Sequence, residues 1–148
     1  MTYKFESIHG TEDQIQILYD LLKTREYSIS HVNLPSFDDH ALFVKNHSYL
    51  AWFLIRLENQ YLGTLYVKND NSIGLNVENP NIILVKECID FIYLNFSPRP
   101  PIPSEIPSYF YLNVSSKNQK LIEIFKELQI PQLQISFKLE ESLNENRW

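Results

Sequence analysis

The stretch Tyr49-Leu50-Ala51-Trp52-Phe53-Leu54-Ile55-Arg56-Leu57-Glu58-Asn59-Gln60-Tyr61-Leu62-Gly63-Thr64-Leu65-Tyr66-Val67-Lys68-Asn69-Asp70-Asn71-Ser72-Ile73-Gly74-Leu75-Asn76-Val77 decides the fold. Aromatic and aliphatic side chains dominate three runs within it, Tyr49 to Leu57, Tyr61 to Lys68 and Ser72 to Val77. Large apolar side chains of this kind suit a pleated surface. The separators Glu58-Asn59-Gln60 and Asn69-Asp70-Asn71 have the polar, turn-prone composition of hairpin loops. The spacing predicts a three-stranded antiparallel meander.

Downstream, Asn79-Pro80 supplies a capping residue and a proline at the first helical position, and Ile83, Val85, Ile89, Ile92 and Phe96 form the buried side of a helix that stops before Pro98. Residues 97–108 contain five of the eight prolines, which forbid regular helix and central strand alike, so this segment reads as a stiff crossing loop. Tyr109 to Val114 is a strand candidate. Ser115 or Ser116 caps a helix carrying Leu121, Ile124, Phe125 and Leu128, Leu133 to Leu139 reads as a last strand, and 140–148 is a polar tail.

Upstream, Thr11-Glu12-Asp13-Gln14 is a capping box ahead of Ile15, Leu18, Leu21 and Leu22, which sets a helix over 11–25. Tyr3 to Ile8 alternates as a short strand does, and Gly10 marks its end. Ser36 with Asp38 and Asp39 opens a second helix over about 36–46, carboxylates in its first turn facing the positive end of the macrodipole.

The predicted order is β, α, α, β, β, β, α, β, α, β. This is an α/β (α+β) fold with one mixed, mainly antiparallel central sheet and helices on both faces. At 148 residues and 17.5 kDa, with 44% hydrophobic and 21% charged residues, the chain has the size and composition of a single packed domain, 1–148.

Composition also excludes function classes. Thirteen Lys and Arg stand against 18 Asp and Glu, for a net charge of −5, and the cations are scattered, so no basic face for nucleic acid is expected. The single cysteine, Cys88, permits no internal disulfide and no multi-cysteine metal site. It lies among apolar neighbours, where a thiol behaves as a small hydrophobe. The N-terminal residues lack the apolar core of a signal peptide, and no window has the apolar length of a membrane span, so a cytoplasmic protein is expected. No GxSxG, HExxH, CxxC, P-loop or calcium-loop pattern occurs, and no metal site is expected.

The element order and several phrases resemble the GNAT superfamily of acyl-CoA-dependent N-acyltransferases. The phrases are Ile29-Ser30-His31, Leu34-Pro35-Ser36-Phe37-Asp38-Asp39-His40, Tyr49 to Ile55, Gly63-Thr64-Leu65-Tyr66-Val67, Ser72 to Val77, and Tyr111-Leu112-Asn113-Val114 followed by Asn118 and the helix Lys120 to Leu128. They are similar to a bacterial branch associated with amino-sugar and surface-glycan biosynthesis. The resemblance covers nearly the whole chain.

It implies that the fourth strand, Ser72 to Val77, splays from the fifth, and that acyl-pantetheine of acetyl-CoA or another acyl-CoA lies in the opening, held like an added strand by backbone groups of Leu75, Asn76 and Val77. It also implies that Asn113 and Asn118 reach the pantetheine or adenylate part of that co-substrate. The plain alternative for Asn118 is an ordinary polar residue in a first helical turn.

The chain departs from the family at three places. Where a glycine-rich pyrophosphate loop would follow the fourth strand stands Glu78-Asn79-Pro80-Asn81-Ile82, and no glycine occurs after Gly74. The family's thiolate-protonating Tyr falls at Phe125, and its Gly-Phe pair at Gln129-Ile130.

Acyl transfer to an amine needs a group that removes the ammonium proton. Glu78, at the end of the fourth strand, is the best-placed carboxylate, with a solvated helix cap as its alternative. His31 and His40 lie in the segment that resembles the family's substrate-facing wall, and each titrates in the right range, with surface or structural roles as alternatives. Tyr49, Trp52, Phe53, Tyr61 and Tyr66 crowd the hairpins, either as packing or as a platform on which a sugar stacks. The expected partners are a small-molecule amine and a second copy of the chain joined through an exposed sheet edge. A fold that has kept the architecture and lost acyl transfer, serving as a binding or assembly module, is the competing expectation.

Overall fold

The computed structural model describes residues 2–25 and 33–140. The elements are β1 (Tyr3–Ser7), α1 (Glu12–Lys23), α2 (Phe37–Asn46), β2 (Ala51–Leu57), β3 (Gln60–Val67), β4 (Ser72–Val77), α3 (Ile82–Asn95), β5 (Tyr111–Leu112) and α4 (Gln119–Glu127). They build one five-stranded sheet in the order β1-β2-β3-β4-β5, antiparallel from β1 to β4 and parallel between β4 and β5. The meander is therefore as the sequence predicts, and α3 carries the chain across to a parallel neighbour.

Alternation along the strands divides the core. Ile55, Leu65, Val67, Ile73 and Leu75 face α3 and α4, where they meet Leu84, Val85, Cys88, Ile92 and Leu121. Trp52 and Leu54 point the other way, against Ile15 and Leu18 of α1 and Val44 of α2. Helices cover both faces. Ten buried residues on the first side against five on the second make the α3/α4 side the larger core.

Side-chain caps set the helix starts. Thr11 accepts from the Gln14 amide at 3.2 Å, and Ser36 from Asp39 at 3.1 Å, as their sequences predict. The Gln14 side chain does not close the box onto Thr11. It is buried, and instead its Oε1 accepts from the His9 amide at 2.7 Å while its Nε2 donates to the Ser7 carbonyl at 2.9 Å and to Glu6, stapling α1 to the end of β1.

Several boundaries correct the sequence reading. The cap of α3 is Asn81, whose Oδ1 accepts from Leu84 at 2.9 Å, rather than Asn79 with Pro80 inside the helix. Asn118, not Ser115 or Ser116, caps α4 by accepting from Leu121 at 3.3 Å. Two candidates, Asn79 and Asn81, stand before α3 and three, Ser115, Ser116 and Asn118, before α4, and composition does not rank them. Strand β5 is two residues long, not the six of Tyr109 to Val114. The last strand expected over Leu133 to Leu139 is not formed: the stretch is exposed throughout and pairs with nothing among the described residues. Periodicity identifies a segment suited to a sheet, but a strand exists only with a neighbour.

No helix among the described residues is long and apolar enough to cross a membrane.

Candidate functional site

The site begins where β4 and β5 part. They share only two rungs, Ser72 with Tyr111 and Ile73 with Leu112, so among the described residues no strand lies beside the edge of Gly74 to Val77 turned away from β3. Strand β3 stays paired to β4 through Gly63 and Val77, and the sheet opens on one side of β4 alone.

Asn71 holds the vertex of this wedge. Its residue is fully buried, with φ 70° in the left-handed region that asparagine tolerates better than most residues. Its Nδ2 donates to the carbonyls of Arg99 at 3.0 Å and Pro107 at 2.8 Å, its Oδ1 accepts from the Arg99 amide at 2.7 Å, and its own carbonyl accepts from Tyr111 at 3.2 Å. One side chain thus ties both ends of the proline-rich loop to the β3–β4 turn and delivers the chain to β5. Beside it Asp70 accepts from the Ser72 amide at 3.0 Å, the Ser72 hydroxyl at 2.6 Å and the Tyr111 hydroxyl at 3.3 Å. Burial pushes the Asp70 carboxyl up, and these hydrogen bonds with the nearby Lys68 charge outweigh it, so it ionises below its usual range.

A cavity of about 240 Å³ runs from the wedge onto the α1/α2 face of the sheet. Leu75, Asn76, Val77, Glu78 and Asn118 line its wedge end, and Tyr49, Trp52, Tyr66, Phe43, Arg25 and His40 its far end. Gly74 makes room for that far wall: a Cβ there would lie 1.9 Å from the Tyr66 ring. Tyr66 stacks flat on Tyr49 at 4.2 Å between centroids, and Trp52 meets the Tyr49 ring edge to face at 5.2 Å. Burial pushes the Tyr49 phenol up to about 12 and lowers the Arg25 guanidinium, whose positive charge in turn opposes the rise at Tyr49.

His40 is 6% exposed and sits 3.2 Å by Nε2 from the Ile15 carbonyl. A carbonyl only accepts, so Nε2 carries the hydrogen and Nδ1 keeps the lone pair in the neutral ring. Burial lowers its pKa, the Ile15 hydrogen bond working against that.

The structure thus gathers Glu78, His40, Leu75, Asn76, Val77 and Asn118 about one cavity. Glu78 is exposed at its rim and does not cap α3, since Asn81 does. Asn118 lines the cavity and caps α4 as well. Asn113 follows β5 at an exposed position and is not among the lining residues. His31 lies outside the described residues. Cys88 is buried in the α3 core, and that burial pushes its thiol up to about 12, which removes it from nucleophilic chemistry.

Arg25 and Asn71 were not visible as site residues in the sequence. The first looks like an ordinary cation beyond a helix end and the second like one of three polar loop residues. Phe53 and Tyr61 belong elsewhere: Phe53 packs on Phe91 at 4.9 Å on the opposite face, and the Tyr61 hydroxyl donates to Glu6 at 3.2 Å. Among the described residues no group of three or more His, Cys, Asp or Glu is arranged to hold a metal ion.

A mixed sheet wedged open between its fourth and fifth strands, with helices on both faces, is the GNAT fold, and this chain has it. Solved structures agree across almost its full length. It is similar to an integron cassette protein from the mobile metagenome of V. cholerae, at TM-score 0.62 and 11% identity over 98% of this chain and 97% of that one. It is similar to the Campylobacter jejuni N-acetyltransferase PseH, solved in complex with acetyl coenzyme A, at TM-score 0.54 and 16% identity over 86% and 87%. An aminoglycoside acetyltransferase from an uncultured soil metagenomic sample matches at TM-score 0.55 and 10% identity over 95% and 99%. No protein-family model and no curated protein sequence matches the chain.

Proposed function

We propose that this protein transfers an acetyl or other acyl group from an acyl-CoA to an amine, the pantetheine arm entering the wedge between β4 and β5. The observation that carries the reading is the two-rung β4–β5 pairing with a cavity continuous with it. An open strand edge presents backbone N–H and C=O groups at the spacing of an amide-bearing chain, and pantetheine carries two amides. Leu75, Asn76 and Val77 would hold the arm, with Asn118 opposite them.

The other end of the co-substrate needs a different grip from the usual one. Pro80 lacks an N–H, and Asn81 already takes the Leu84 amide that a phosphate oxygen would use. Lys120, whose Nζ reaches Asn79 across the opening at 3.4 Å, is the cation we assign to the diphosphate.

For the amine, Glu78 at the rim or His40 through its Nδ1 would take the proton, directly or through water. The stacked Tyr49 and Tyr66 with Trp52 form an apolar wall beside the polar Arg25 and Asp39, a pairing suited to a sugar ring and its hydroxyls. An amino sugar or its nucleotide is therefore the acceptor we propose.

The second reading, a GNAT fold that binds or assembles without transferring, is favoured by Glu78-Asn79-Pro80-Asn81 in the phosphate position and by Phe125, half-buried against the core where a proton donor would stand. Calorimetric titration with acetyl-CoA up to about millimolar separates the two, because a site of only −4 kcal/mol is part-filled there. Heat of binding, followed by amine-dependent release of free CoA, supports transfer. A silent titration abandons it.

A further inference from the structure

Two polar side chains that line the cavity have no bonding partner in the fold. Trp52 is 9% exposed, and its buried Nε1 meets no hydrogen-bond partner among the described residues. Thr64 is 8% exposed, and no hydrogen bond joins its hydroxyl to any of those residues. Buried polar groups are nearly always paired, because an unpaired one gives up water without return. Strand packing alone does not call for the hydroxyl, since valine fills the same place on a pleated surface.

The register sets these groups on one floor. Trp52 pairs with Tyr66, Leu54 with Thr64 and Thr64 with Asn76, and Trp52 and Leu54 point toward α1 and α2, so Trp52, Thr64 and Asn76 share that face. Thr64 adjoins Asn76 at the wedge end of the cavity, where an amine would meet a thioester. Trp52 is its diagonal neighbour on the next strand, about 7–8 Å away. The rings of Phe43, His47 and Tyr49 meet the indole edge to face at 5.8, 5.1 and 5.2 Å, which fixes the direction of its N–H.

Their chemistry differs. A hydroxyl both donates and accepts, whereas an indole N–H only donates. Aromatic surroundings favour a neutral partner for that N–H over an anion. A carbonyl oxygen suits it, since it accepts and brings no proton that needs a further partner. We propose that Thr64 and Trp52 select the acyl-receiving substrate: the Thr64 hydroxyl accepts an N–H of the amine beside the thioester, and the Trp52 indole donates to a carbonyl oxygen farther along the same molecule. This rests on the acyl-transfer reading and narrows its substrate to an amine with a carbonyl about 7–8 Å away.

Three simple amines test it through release of free CoA from acetyl-CoA. Transfer should be faster to 6-aminohexanamide, whose chain can span the interval, than to hexylamine, which lacks the carbonyl, or to glycinamide, in which it lies too close. In Trp52→Phe the ratio of kcat/KM for 6-aminohexanamide to that for hexylamine should fall roughly threefold to tenfold, one hydrogen bond's worth. Thr64→Val should lower kcat/KM for all three amines to a similar degree. Its melting temperature should equal or exceed the parent's, because the change removes an unpaired polar atom and keeps the shape. The indole NMR resonance that is lost in Trp52→Phe should move downfield when 6-aminohexanamide is added to the parent with CoA. Calorimetry separates the two levels of the argument. In a parent that binds acetyl-CoA, no preference for 6-aminohexanamide, no transfer to any of the three, an unchanged ratio in Trp52→Phe, a stationary indole resonance or a lowered melting temperature in Thr64→Val overturns this proposal alone. A parent that gives no heat with acetyl-CoA overturns the transfer reading, and this selection with it.

Discussion

At the scale of single residues, three positions, Asn71, Gly74 and His40, bear more of the site than their neighbours. Asn71 satisfies three backbone groups of the crossing loop from a buried position, so Asn71→Ala leaves them unpaired and puts a Cβ-bearing residue without a side-chain amide at positive φ. At about 1–3 kcal/mol for each orphaned buried group, partly relieved by water, a loss of about 3 kcal/mol is expected in urea unfolding. Gly74→Ala drives a methyl into the Tyr66 ring, and overpacking of this kind costs about 1–3 kcal/mol. The fluorescence of the adjoining Trp52 should report the ring's displacement.

His40 makes stability depend on pH. Its pKa is lowered in the folded state, so the unfolded chain binds the proton more readily. The fold has its full stability above the unfolded value near 6.5 and loses some as pH falls from there to the lowered folded value. His47, also lowered by burial, adds to the same window. The melting temperature should fall between about pH 7 and pH 5, and less steeply in His40→Gln. An equal slope in both proteins counts against burial of a neutral ring at this position.

At the scale of elements, the meander was legible because three runs and two polar turns left no competing arrangement, and α1 and α2 because Thr11 and Ser36 each preceded an apolar stripe. The wedge was implied by family resemblance, and residue pattern does not show it. What opens it is the Asn71 web of hydrogen bonds to residues 28 and 36 positions away, a long-range relation that no local window contains. The helix starts at Asn81 and Asn118 slipped for a local reason, competing caps within one turn. Asn118 has two duties to separate: Asn118→Ala should cost about 1 kcal/mol as a lost cap. If it also touches the co-substrate, affinity for acetyl-CoA should fall roughly threefold to tenfold in calorimetry, as one hydrogen bond predicts. Asn118→Asp, which keeps the cap, then tests contact alone, with an added negative charge.

At the scale of the whole molecule, one departure from regular sheet geometry organises everything else. Four strands pair along their lengths, the fifth touches for two rungs, and the cavity, the aromatic wall and the polar groups of α1 and α2 all lie on the path leading from that departure. The chain shares this architecture with solved acetyltransferases at 10–16% identity, while Glu78 to Ile82 and Phe125 depart from the pattern of the superfamily that the sequence resembles. The most direct test is backbone amide exchange of Gly74 to Val77 with and without acetyl-CoA. The account predicts fast exchange, in the free protein, for the amides turned away from β3, and a slowing of at least about tenfold when the ligand is added. Slow exchange in the free protein, or rates that acetyl-CoA leaves unchanged, would contradict it.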